Sequence, residues 1–98
     1  MGHLHYGAPP VSFELPDRTL AHVEFVVLAK LRRNESFAVT IDEPAGGRQR
    51  IWLSPAATLR FQFDGPVVGI NRAWLEELID SANTASGMQL TPEPERAS

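Results

Sequence analysis

Two short alternating segments carry the residues best suited to recognition chemistry. Arg50 and Trp52 alternate with Ile51 and Leu53, and Arg60 and Gln62 alternate with Leu59, Phe61 and Phe63. Successive side chains of a β-strand point to opposite faces, so burying the aliphatic and phenyl groups sends Arg50, Trp52, Arg60 and Gln62 to the other side. Thr40 and Asp42 are expected to join them there. Guanidinium groups and an indole on an uncovered sheet can stack on bases, grip a phosphate or anchor a partner protein. The plainer alternative has the arginines solvating the face while Trp52 packs along their stems. Sheet-based RNA readers stack bases on several aromatics, and here Trp52 stands alone, so nucleic acid is the less favoured partner.

A second candidate surface lies between Arg18 and Arg33, read as a helix. Its main apolar stripe is Leu20, Val23, Val27 and Leu31, which leaves Phe25, Val26 and Ala29 off the stripe. Open to solvent, these three form an apolar patch suited to dimerisation or a protein partner; covered by the hairpins or the C-terminal segment, they are core. Glu24 falls inside the core arc, where a carboxylate needs an arginine, backbone amides or partial exposure. As a catalytic acid it lacks a second acid or base at a diagnostic spacing. His22 is expected to face solvent.

His3 and His5 share one side of a strand at a spacing that can hold a metal, but no third ligand accompanies them. Met1-Gly2-His3 copies an amino-terminal copper or nickel chelator only while Met1 is retained. Arginine and glutamine follow Gly46-Gly47 in place of the Gly-Lys-Ser/Thr of a phosphate-binding loop, and no G-x-S-x-G nucleophile turn occurs. The reading is therefore non-enzymatic: no catalytic residues, no metal ligands and no cofactor are assigned.

The elements that position these residues follow from pattern and turn chemistry. His3 to Tyr6 and Val11 to Leu15 alternate around Gly7-Ala8-Pro9-Pro10, which predicts a β-hairpin. Pro16-Asp17 supplies a stop and an N-cap for the first helix, against the β-forming run His22 to Val27. Ser36 to Ile41 and Arg48 to Leu53 form a second hairpin across a Glu43-to-Gly47 turn, and Leu59 to Phe63 is the clearest strand. Asn71 caps a second helix running to about Ser86, with Gly87 just beyond it and Met88 to Leu90 as a short edge strand. The order ββαβββα(β) implies an α+β fold, a mostly antiparallel sheet with two helices packed on one face.

Bulk properties narrow the possibilities further. A chain of 98 residues with 43% apolar content builds one core, expected over residues 1–91, with 92–98 a disordered polar tail. The absence of cysteine removes disulfides, thiolate metal sites and thiol nucleophiles. No apolar run approaches the roughly 20 residues of a membrane span, so no membrane is expected and a cytoplasmic location is the default. A net charge of -3 and a pI near 5.5 disfavour a dedicated duplex-DNA binder.

The segments Met1-Gly2-x-Leu4-x-Tyr6-Gly7, Asp17-Arg18-Thr19-Leu20-Ala21-His22, Lys30-Leu31-Arg32-Arg33-x-Glu35-Ser36-Phe37 and Asn71-Arg72-x-Trp74-Leu75-Glu76 resemble a family of small actinobacterial proteins of unknown function. The likeness continues through Ser81-Ala82-Asn83 and Pro92-Glu93-Pro94. Members of that family are often labelled ATP-dependent DNA ligase. Such a ligase forms a lysyl-adenylate within Lys-x-Asp-Gly, whereas Lys30, the only lysine here, precedes Leu31-Arg32-Arg33. The resemblance implies a shared fold and transfers no catalytic residue. The expected function is a small interaction module that self-associates or binds a protein partner, with a nucleic-acid-processing accessory as the alternative.

Overall fold

Alternation and turn chemistry produce both expected hairpins. β1 (Gly2–Tyr6) pairs antiparallel with β2 (Val11–Leu15), opposing Leu4 to Phe13. After α1 (Asp17–Leu31), β3 (Phe37–Asp42) pairs antiparallel with β4 (Arg48–Leu53), opposing Val39 to Ile51. β5 (Leu59–Gln62), α2 (Arg72–Ala82) and the two-residue β6 (Met88–Gln89) complete the order. This computed structural model describes residues 1–42 and 46–95; the Glu43 to Ala45 part of the expected turn and residues 96–98 of the expected tail lie outside the described residues.

The α+β class holds, but the strands divide into two three-stranded sheets rather than one. One has the order β2-β1-β5 and is antiparallel; the other has the order β4-β3-β6, with β6 parallel to β3. The division begins after β4. Ala57 N–H donates to Ser54 O at 2.9 Å, and the turn contains Pro55, which has no N–H for a ladder. The chain leaves β4 there and places β5 on β1, with Leu4 opposite Phe61 and Tyr6 opposite Leu59.

α1 forms despite its β-branched run because Leu20, Val23, Val26 and Val27 are all fully buried, and tertiary burial outweighs a small propensity cost. Asp17 does not cap it. Pro16 occupies the N-cap, and the Asp17 carboxylate instead accepts hydrogen bonds from the N–H groups of Asp64 (3.2 Å) and Gly65 (3.0 Å). β1 crosses this corner closely: a Cβ on Gly2 would stand 2.6 Å from both Gln62 O and Asp17 Oδ1. α2 is capped as expected, Asn71 Oδ1 accepting from Trp74 N–H at 3.3 Å, but it stops at Ala82 rather than Ser86. Thr84 ends it, its N–H and its hydroxyl both donating to Ser81 O.

One core joins both sheets and both helices: Leu4, Phe13 and Leu15 from the first sheet, Phe37, Val39, Ile41 and Leu53 from the second, and Trp74, Leu75 and Leu78 from α2. Strand parity is as expected. Leu53 is buried and Ile51, Leu59, Phe61 and Phe63 pack against the core, while Arg50, Trp52, Arg60 and Gln62 are exposed. Among the described residues no helix is long and apolar enough to cross a membrane.

Candidate functional site

The division into two sheets splits the anticipated recognition face. Arg50 and Trp52 lie on β4, whereas Arg60 and Gln62 lie on β5 of the other sheet. On the β4 side, Thr40 stands opposite both Arg50 and Gln89, and its hydroxyl oxygen accepts from Arg50 Nε at 3.2 Å and Gln89 Nε2 at 3.4 Å. Thr40, expected on the open face, is buried as a result, with 2% exposure. Trp52 remains 60% exposed.

Beside Trp52 the sheet is shallow, because its cross-strand neighbour is Ala38 and the chain beyond Ala38 is Gly87. A groove of about 520 Å³ follows, with Trp52, Ala38 and Gly87 on the sheet side and Asn83 and Thr84 on the other. Lys30 closes one end. It donates to Asn83 Oδ1, lies 3.6 Å from Glu35 Oε1 and stands 5.9 Å from the centre of the Phe37 ring. This lysine ties α1 to the end of α2, with the Glu35 carboxylate opposing its charge.

On the β5 side, Arg60 and Gln62 face His5 and His3 across β1. His5 lies between Ser12 Oγ (2.6 Å from Nδ1) and Gln62 Oε1 (2.8 Å from Nε2). Gln62 Oε1 only accepts, so Nε2–H donates to it, while Nδ1 and the Ser12 hydroxyl share the second bond. His3 stacks on His5 at 6.0 Å and approaches Glu14 at 3.6 Å. Among the described residues no group of three or more His, Cys, Asp or Glu side chains could hold a metal ion. The two sheets meet where Tyr6 Oη donates to Trp52 O at 2.7 Å.

The α1 patch differs from its expected membership. Val26 is fully buried and belongs to the core, lining a hollow shared with Ile79 of α2. Phe25 is 52% exposed and Ala29 half-buried, and Leu28, absent from the expected set, is 48% exposed. Glu24 is half-buried at the edge of this surface, in keeping with the partial-exposure reading.

His22, expected at the surface, is fully buried. Its Nδ1–H donates to Arg18 O at 2.7 Å, its Nε2 accepts from Asn71 N–H at 2.9 Å, and its ring lies 4.5 Å from that of Trp74. Asn71 then joins three segments, since Nδ2 donates to Glu93 Oε2 and to Pro94 O, both at 3.0 Å. Arg18 completes the clasp with two parallel bonds to the Glu93 carboxylate, 2.6 and 2.8 Å long, and Trp74 Nε1 donates to Thr91 O. This cluster is a structural strap that fixes residues 91–94 across both helices.

Glu93 is held at about 2, well below the usual carboxylate range, first by the Arg18 hydrogen bond and then by that from Asn71; the same contact raises Arg18. A carboxylate depressed in the folded chain stabilises the fold above its unfolded value near 4.5, and that contribution fades as pH falls towards about 2. Glu93→Gln is expected to lower stability at neutral pH and to flatten the acid limb of the stability curve between those values. Urea unfolding at stepped pH measures it; curves parallel to the native protein's would show that the clasp contributes nothing.

Comparison with the curated proteins and with the solved structures gave no match. Over residues 1–93 the sequence fits the family described as Domain of unknown function (DUF7882), and the chain belongs to that family.

Proposed function

We propose that the chain is a non-enzymatic interaction module that associates with a second copy of itself, or with a protein partner, through the outer face of α1. The supporting observation is the pair Phe25 and Leu28, 52% and 48% exposed and one turn apart on the same helix. Large apolar groups exposed singly are ordinary, but neighbours on one face cost hydration free energy that association recovers. Light scattering from micromolar concentration upward tests this. A rising mass that persists or increases with salt is the expected result for apolar association, and a monomer over the whole range would remove the self-association reading.

One observation favours a second reading, in which single-stranded nucleic acid binds along β4. Trp52 offers 60% of its surface for stacking and Arg50 lies two residues away. Titrating a fluorescent oligonucleotide against salt separates the two, since phosphate contacts weaken steeply as ionic strength rises.

A further inference from the structure

Ala21, Phe25, Leu28 and Arg32 succeed one another at intervals of four, three and four residues along the outer side of α1. That spacing is the seam of a short helix pair, in which each position packs into the facing helix. Phe25, Leu28 and Arg32 are exposed and Ala21 is half-buried, so the described residues leave the seam open along its length. Charge brackets the apolar centre asymmetrically. Glu24 lies on its N-terminal side and Arg32 on its C-terminal side, and among the described residues neither side chain has an ion-pair partner within the chain.

The direction of pairing follows from that asymmetry. A parallel pair would set Arg32 against Arg32 of the second copy and Glu24 beside Glu24. An antiparallel pair centred between Phe25 and Leu28 sets Phe25 against the second copy's Leu28, Ala21 against its Arg32, and Glu24 beside that same arginine. The arrangement is two-fold and isologous, so each favourable contact occurs twice, and the small Ala21 leaves room for the arginine stem. We propose that two copies of this chain associate through an antiparallel α1–α1 pair with reciprocal Glu24–Arg32 contacts. This rests on the self-association reading and adds its geometry.

Charge exchange tests it, with sedimentation equilibrium as the readout and thermal melts as the control for folding. Glu24→Arg and Arg32→Glu are each expected to weaken the dimer by about tenfold or more, because each places two like charges together twice. The double variant restores opposite charges and is expected to return to within about threefold of the native affinity. Single variants with native affinity, or a double variant weaker than either single, overturn the pairing. Should Glu24→Arg impair folding, Glu24→Gln serves instead and is expected to weaken the dimer less than the arginine would. A native protein that stays monomeric removes the self-association reading itself. A native dimer indifferent to both exchanges but dissociated by Trp52→Ala keeps self-association and removes the α1 face, with its pairing, as the site.

Discussion

Asn71→Ala is expected to lower the unfolding free energy by about 3 kcal/mol, the sum of a lost helix cap near 1 kcal/mol and lost bonds to a carboxylate and a carbonyl. Asn71 is only 3% exposed, so water cannot readily replace what the side chain supplies. Its Oδ1 caps α2 through Trp74 N–H, and its Nδ2 holds both Glu93 and Pro94 O. Asn71→Asp separates the two roles. An aspartate keeps the cap but loses both donors and puts a second carboxylate beside Glu93, so it is expected to stabilise α2 while expelling the strap. Chemical denaturation of the three proteins measures the loss, and hydrogen exchange at Thr91 and Glu93 reads the strap alone. Equal losses in the two variants would place the whole effect in the strap, and an aspartate variant as stable as the native protein would place it in the cap. Loss in the alanine variant below about 0.5 kcal/mol would show that neither role matters.

What the sequence makes legible follows the range of each interaction. Strand parity depends on neighbours two residues apart, so the inward set from Ile51 to Phe63 and the outward Arg50, Trp52, Arg60 and Gln62 can be read directly. The Asn71 cap reaches only three residues and is equally readable. Sheet membership is not local. Nothing within β5 distinguishes a strand that pairs with β4 from one that crosses to β1, so alternation alone puts the four recognition residues on one face when two sheets carry them.

The helix surface shows the same limit in another form. A wheel drawn around Leu20, Val23, Val27 and Leu31 finds one buried side, but Val26 and His22 are fully buried as well, His22 against Asn71 and Trp74. His22 could not be recognised as interior because its partner, the Asn71 N–H, lies 49 residues away. The Arg18–Glu93 clasp spans 75 residues and leaves no local signal. Leu28, by contrast, carries a local signal: its spacing from Ala21, Phe25 and Arg32 marks a second stripe on the same helix.

Gly87 links stability to the groove beside Trp52, and Gly87→Ala is expected to cost about 3 kcal/mol, combining left-handed backbone strain with overpacking against a neighbour that cannot move. Its φ is +82°, and a Cβ built there meets Ala38 O at 2.5 Å and Ala38 C at 2.8 Å. Both are backbone atoms of the central strand β3, so relief must come from β6 moving away. That movement breaks the Val39–Met88 and Thr40–Gln89 pairings, exposes the fully buried Met88 and strains the Gln89 N–H bond to Ser81 Oγ. A melting temperature lower by about 15 °C is the expected reading for a domain of this size. Adding Ala38→Gly removes the Ala38 Cβ, 2.7 Å from the built atom, but leaves the carbonyl and the positive φ in place. The double variant should therefore recover only a small part of the loss. Full recovery would mean that side-chain crowding alone sets the glycine requirement and that the approach of the two backbones at the groove floor is not the constraint.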